Sequence, residues 1–340
     1  MSADTTRRDF LSLAAATGAG LALTGLAGHA DASTRPAAAD RSAFGPVRQI
    51  DAGLLNVGYV DIGPRNGTPV LLFHGWPYDI HGYEDVAPIL AAKGFRVIVP
   101  HLRGYGTTRF LSADTLRSAQ QTALAADGIA LMDALGIRRA IFAGCDWGAR
   151  NACVMAALWP ERCQALVSVS GFLVLNRATA LTPLSPADEF TWWYQYYFAT
   201  ERGRIGYEKN LKPFARFIWQ QASPKWQFDD ATFDRCAASL VNPDHVALVV
   251  HNYRWRINAA EGDPRYDALE ARLAQVQSVA MPSITMEGDA NGAPHPPAAA
   301  YRSRFTGKYE HRALTGGIGH NLPQEAPVEF AQAVIDVAQW

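Results

Sequence analysis

The segment spanning residues 139–158 constrains the fold more than any other part of the chain. A short apolar run, 139–143, passes directly into Gly144-Cys145-Asp146-Trp147-Gly148, and a helical pattern follows to about Leu158. A strand that becomes a helix across five residues must turn sharply. Glycine at both ends of the pentapeptide permits the turn and lets strand and helix approach closely. Asp146 then stands at a strand tip beside a helix N-terminus, where aligned peptide dipoles favour an anion. With an unperturbed pKa of about 3.9, its carboxyl is ionised near neutral pH. The position therefore offers an anionic nucleophile. Aspartate also caps helices, and the pentapeptide alone leaves that role open.

Further β-like runs occur at 55–60, 70–73, 95–99, 166–169, 282–286 and 311–314, and helical patterns at 83–93, 115–135 and 327–338. This alternation predicts an α/β fold, a mostly parallel central sheet flanked by helices. Gly128 is a candidate break in the second helix. Residues 172–275 differ in character, being aromatic and helical without strand alternation, as in Trp192-Trp193-Tyr194-Gln195-Tyr196-Tyr197-Phe198. They read as a helical lid inserted between a first core part, 33–171, and a second, 276–340.

The chain of 340 residues is 49% hydrophobic, enough for a sizeable core, and its formal net charge of -1 gives no reason to expect nucleic acid as a partner. Residues 1–32 stand apart. Arg7 and Arg8 precede a weakly apolar stretch without charge from Leu11 to Gly28, which ends at Ala30-Asp31-Ala32. This resembles a twin-arginine export signal with a small-residue cleavage site and predicts export, to a bacterial periplasm. Beyond it, no uninterrupted run of 18 apolar residues predicts stable membrane insertion. Cys145, Cys153, Cys163 and Cys236 form no C-x-x-C pair and read as buried thiols rather than a structural zinc site. No metal or organic cofactor is implied, and a monomer and a homodimer are both compatible with the sequence.

An aspartate nucleophile attacks an electrophilic carbon and forms an alkyl ester. Hydrolysis of that ester needs a base for water and an oxyanion hole. His320, in the loop Gly316-Gly317-Ile318-Gly319-His320 after the last strand, is the candidate base. Asp289, in the loop after the strand at 282–286, is the candidate orienting acid. Glu287 belongs to the strand end, and Asp267 and Glu270 approach only from the lid. The backbone N–H groups of Trp76 and Trp147 are the candidate oxyanion donors, with Pro77 fixing the turn after Trp76. An ordinary loop histidine, turn carboxylate and tight core loop are the bland readings of these residues; the order Asp146, Asp289, His320 favours the catalytic one.

With these residues in view, the chain resembles the soluble epoxide hydrolase branch of the α/β-hydrolase fold, from about Phe44 to Trp340. His74-Gly75-Trp76-Pro77 resembles that family's H-G-x-P oxyanion motif, and Gly144-Cys145-Asp146-Trp147-Gly148 its G-H-D-W-G elbow. The 284–289 segment resembles the strand and loop carrying its charge-relay acid. The resemblance implies ring-opening acids at Tyr194, from the Y-Q-x-Y-F-like segment, and at Tyr253, from Asn252-Tyr253-Arg254. Phenols keep their proton to about pH 10 and suit that task. Tyr196, Tyr197 and Tyr207 compete as packing residues. His74, Pro77, Trp193 and Tyr197 are expected along the pocket, and the aromatic lid implies a small, mainly apolar epoxide, with water as second substrate. Two positions depart from the family pattern. Cys145 replaces the histidine before the nucleophile, and His101 replaces the aspartate of a D-x-R-G-x-G loop. Two other functions fit the same residues. A haloalkane or haloacetate dehalogenase would use the same carboxylate, with the Trp76 and Trp147 indoles on the halide and Arg150 on a substrate carboxylate. A non-catalytic ligand-binding protein would use the fold alone.

Overall fold

The strands with alternating or wholly apolar sequence assemble into one nine-stranded sheet, in a computed structural model that describes residues 41–293 and 295–340. The expected export signal lies outside the described residues. The strands are β1 (Arg48–Ala52), β2 (Leu55–Ile62), β3 (Pro69–Phe73), β4 (Arg96–Pro100), β5 (Arg109–Phe110), β6 (Ala140–Gly144), β7 (Cys163–Val169), β8 (Ser283–Gly288) and β9 (Tyr309–Leu314). Their order is β1-β2-β4-β3-β6-β7-β8-β9, with β5 added on β2. From β4 to β9 every pairing is parallel, whereas β2 pairs antiparallel with β1, β4 and β5.

Side chains alternate across the sheet as a period of two requires. On β3, Leu71 and Phe73 enter one buried cluster, and Val70 and Leu72 enter the other. The first cluster is covered by α2 (Gln121–Ala134) and α3 (Trp147–Leu158), the second by α1 (Val86–Ala92) and the C-terminal helix α13 (Pro327–Val337). Between β7 and β8 every regular element is helical: α4 (Pro186–Thr191), α5 (Trp193–Ala199), α6 (Glu201–Lys209), α7 (Leu211–Ala222), α8 (Asp230–Ala237), α9 (His245–Arg256) and α10 (Asp267–Ala274), with short 3-10 turns. The short helices α11 (Ala298–Tyr301) and α12 (Leu322–Glu325) flank β9.

Three local expectations change. The strand β1 was not anticipated, because Arg-Gln-Ile-Asp-Ala is an edge sequence with mostly exposed side chains. The second helix begins at Gln121 rather than near Thr115. Ahead of it, Ala119 donates to His251 Nδ1 and accepts from Asn252 Nδ2 at 2.6 Å, so this backbone is satisfied by α9. Gly128 does not break α2. A Cβ there would meet the end of the Met155 side chain, which would have to shift to admit it.

Candidate active site

The turn between β6 and α3 places Asp146 in a backbone conformation that side-chain-bearing residues rarely adopt, with φ 55° and ψ -122°. Its neighbours explain how the chain can turn there. A Cβ on Gly148 would overlap the Phe73 carbonyl, and one on Gly144 would overlap the Gly148 backbone. Asp146 makes no side-chain capping bond to α3. Its carboxylate instead faces outward: Oδ1 accepts from the Trp76 N–H at 2.9 Å, and Oδ2 lies 3.5 Å from His320 Nε2. Burial works to raise its pKa, but the hydrogen bond and charge of His320, then Arg150 and the Trp76 N–H, leave it below the ordinary carboxylate value. The nucleophile is therefore held ionised.

His320 is the reciprocal case. Burial opposes its charged form, yet the bond to Asp146 and that carboxylate's charge raise the imidazole above its ordinary value. Esterification would remove the Asp146 charge, and with it the main support for imidazolium. The base thus becomes easier to deprotonate at the stage that needs it. Asp146→Asn tests the sign: the carboxylate's support is lost while burial remains, so the His320 pKa should fall below its wild-type value. Imidazole NMR across pH measures this, and an unchanged value would contradict the coupling.

The orienting residue differs from expectation. Asp289 is exposed and accepts from the backbone N–H groups of Gly316, Gly317 and Ile318 at 3.1, 2.8 and 3.0 Å. It shapes the loop leading to His320 rather than touching the imidazole. The partner at His320 Nδ1 is Asn291 Oδ1, at 3.3 Å. The Asn291 amide nitrogen donates to Glu287 Oε1 at 2.5 Å. A carboxylate only accepts, which turns the amide oxygen toward His320 and draws the imidazole proton to Nδ1. Nε2 is then free to take a proton from water. A search for an acid passes over an amide, and only its position in the loop after β8 marked Asn291. Asn291→Ala should slow ester hydrolysis more than Asp289→Ala does, by a tenfold or larger part of the about 10²–10⁴-fold that general-base catalysis supplies. Single-turnover rates of the two variants measure the difference. The reverse ranking would restore Asp289.

Tyr194 and Tyr253 come together within reach of the Asp146 charge, although neither lines the cavity that reaches this carboxylate. Both are buried, their rings lie 5.2 Å apart, and the Asp146 charge acts on both. Burial first, with charges such as Asp146 adding to it, pushes both phenols above their ordinary pKa, so each retains its proton. The indoles beside them are committed. Trp147 Nε1 donates to the Tyr253 hydroxyl at 3.2 Å, and Trp76 Nε1 to the Tyr207 hydroxyl at 2.8 Å. Tyr207 continues to His245 Nε2 at 2.8 Å, and His245 Nδ1 donates to the Gly104 carbonyl at 2.9 Å. Burial lowers the His245 pKa to about 4, which keeps it neutral in this chain. Tyr207 is thus a buried strut between the Trp76 loop and the lid. Trp147 opens α3, so its N–H has no acceptor one turn back in the helix and is available to an oxyanion.

A cavity of about 1370 Å³ reaches Asp146 and is lined by Arg150, Phe172, Trp192, Arg256 and His295, among others. The four further pocket residues expected from sequence do not line it. His74 is buried, with Nε2 accepting from the Leu102 N–H at 3.2 Å, and it anchors the 101–106 loop. Pro77, joined to Trp76 by a cis peptide bond, accepts from Trp219 Nε1 through its carbonyl. Trp193 donates to Gln221 and packs on Tyr197, which in turn stacks on Phe214 inside the lid. Trp192, Arg256 and His295 were missed. Trp192 stood in the aromatic run but one position before those chosen, and His295 lies face to face with His320 at 5.8 Å.

The two departures from the motifs are packing residues. Cys145 Sγ donates to the His320 carbonyl at 3.3 Å, and burial pushes its thiol pKa well up. The other three cysteines are likewise buried and unpaired. Burial lowers His101 to about 4, leaving it neutral. Among the described residues no group of three His, Cys, Asp or Glu side chains is disposed to hold a metal ion, and no helix is long and apolar enough to cross a membrane.

Residues 68–215 match the family model for the alpha/beta hydrolase fold. A crystal structure from Klebsiella pneumoniae, provisionally assigned as an epoxide hydrolase, is 59% identical, with a TM-score of 0.87 over 88% of this chain and 100% of that one. Epoxide hydrolase B of Mycobacterium tuberculosis is 31% identical over 154 residues, 42% of each chain. Bifunctional epoxide hydrolase 2 of Sus scrofa is 31% identical over 134 residues, which are 37% of this chain and 24% of that one. The chain thus matches less than half the length of these curated relatives. The full-length match to the Klebsiella protein and the elbow geometry together identify the chain as a member of the epoxide hydrolase branch of the α/β-hydrolase family.

Proposed function

We propose that the chain hydrolyses epoxides to vicinal diols through an ester on Asp146. One observation carries this reading: Asp146 stands between the Trp76 N–H and His320 Nε2, and its charge reaches the paired phenols Tyr194 and Tyr253. Asp146 Oδ2 attacks a ring carbon, the carbon–oxygen bond breaks, and a phenol donates its proton to the leaving alkoxide. The alkyl ester then holds its carbonyl oxygen at the Oδ1 position, already bonded to Trp76. His320 takes a proton from water, which attacks the ester carbonyl carbon. The oxyanion forms at the Trp76 N–H, with Trp147 as second donor. Its collapse breaks the bond between the carbonyl carbon and Oδ2; the diol leaves with that oxygen and the proton from His320, and the second water proton returns to the phenolate as the carboxylate reforms.

Halide chemistry receives less support. The two indole N–H groups that would cradle a halide are bonded to Tyr207 and Tyr253. The test is a panel of aryl and alkyl epoxides assayed for diol, beside halogenated substrates assayed for halide. Diol without halide is expected, and halide without diol would overturn the reading. We also propose export through the twin-arginine-type leader, supported by Arg7, Arg8 and the Ala30-Asp31-Ala32 end. A mature protein whose mass begins near Ser33 is expected, and one beginning at Met1 would contradict it.

A further inference from the structure

Four arginines, Arg150, Arg177, Arg256 and Arg304, line the cavity, an unexpected surface for an apolar epoxide. Two belong to other contacts: Arg177 donates to Asn258, and Arg304 to the Gln277 carbonyl. Arg150 and Arg256 are different. Arg150 is 8% exposed, and its Nε donates to the Leu173 carbonyl at 3.2 Å. Among the described residues its two terminal nitrogens have no hydrogen-bond partner, and they are not sealed from the cavity. Arg256 is half-buried over the Tyr253 ring at 5.3 Å, and among the described residues neither arginine has a salt bridge. The other lining carboxylates are occupied. Glu270 accepts from Gln121 and Thr122, and Glu189 from the Leu184 N–H and the Tyr196 hydroxyl.

Two guanidinium groups facing one cavity repel one another, and a buried charge is costly until it is paired. Burial, followed by Arg256, depresses the Arg150 pKa to about 10. A carboxylate would relieve both costs, since a planar guanidinium binds it in a fork. Position sets the reach. Arg150 lies in the first turn of α3, its backbone N–H bonded to the Asp146 carbonyl, and Arg256 lies three residues beyond Tyr253 on α9. On α9 that spacing puts the two Cβ atoms about 5–6 Å apart, and the charges of Arg150 and Asp146 act on one another. Each cation therefore stands one turn from a residue that would handle the epoxide.

We propose that Arg150 and Arg256 form an anion subsite, and that the epoxide carries a carboxylate within a few atoms of its ring. The substrate claim rests on the epoxide reading above; the subsite does not. Arg150 also acts on the Asp146 charge, so an effect on the nucleophile alone must be told apart from recognition.

The experiment has two arms on the purified full chain. In the first, glycidate and its neutral methyl ester and amide are compared by diol formation. Wild type should favour glycidate by tenfold or more in kcat/KM. Arg150→Gln and Arg256→Gln should collapse that ratio toward one through a raised KM for glycidate, with Arg150→Lys retaining part of it. Equal turnover of charged and neutral epoxides, or a proportional loss on both in each variant, would overturn the proposal. In the second arm, calorimetry compares butyrate with butyramide. Saturable binding of butyrate alone, lost in the Arg150→Gln and Arg256→Gln variants, supports the subsite without any epoxide chemistry. Equal binding of the two ligands would overturn it. Butyrate binding with no diol from any epoxide would keep the subsite and defeat the epoxide reading.

Discussion

In a His320→Gln variant, an epoxide should be opened once and then retained. Opening the ring requires the Asp146 carboxylate, which keeps the Trp76 N–H and the Arg150 charge when the imidazole is lost, and a proton from a phenol. Hydrolysis of the ester requires a base for water, and loss of that base should slow it by about 10²–10⁴-fold. The ester would therefore accumulate, and the peptide containing Asp146 should gain the mass of one substrate molecule. Steady-state diol formation would fall while the first turnover persists. The Ser223 Oγ that accepts the His320 N–H remains to hold the backbone. Lost turnover without an adduct would assign His320 to ring opening instead, and the sequence of steps would have to be reversed.

Replacing both phenols should do the opposite. Tyr194→Phe and Tyr253→Phe remove the donors for an alkoxide, a group that leaves poorly without a proton. Loss of one such preorganised donor typically costs about 10²–10³-fold. The double variant should depart from the product of the two single effects, because the groups share one site. Here the loss falls on alkylation, so when His320 is also replaced the ester should form at a correspondingly lower rate. Tyr253 additionally accepts the Trp147 indole N–H, so its variant must be compared by thermal midpoint as well as rate. A Tyr194→Phe/Tyr253→Phe protein that still alkylates at the wild-type rate would reduce both residues to lid packing.

The parts of this site that could be read from sequence are those whose local pattern dictates their geometry. The pentapeptide around Asp146 does so, because few backbones join a buried strand to a helix in five residues. The strands of the parallel sheet were likewise legible as short apolar runs between helical patterns. β1 was not, since an edge strand needs no apolar face. The start of α2 was not, because its preceding backbone is satisfied by α9, more than a hundred residues away in the chain. The same holds for the orienting group. Asp289 has the charge that a search for an acid seeks, yet its oxygens are taken by a glycine-rich loop. Asn291 has no charge and reaches His320. Arg256 was equally hidden, since only the packing of α9 brings it to the cavity that Arg150 enters from α3.

The choice of Asp146 as covalent nucleophile is tested most directly by a single turnover in water enriched in oxygen-18, with enzyme in excess over an epoxide. The ester mechanism transfers a carboxylate oxygen to the product and fills its place from water. The first diol should therefore be unlabelled, and the label should appear in the peptide containing Asp146. A first diol carrying the label, with an unlabelled Asp146, would mean that water attacks the epoxide directly and would contradict the nucleophilic role of this carboxylate.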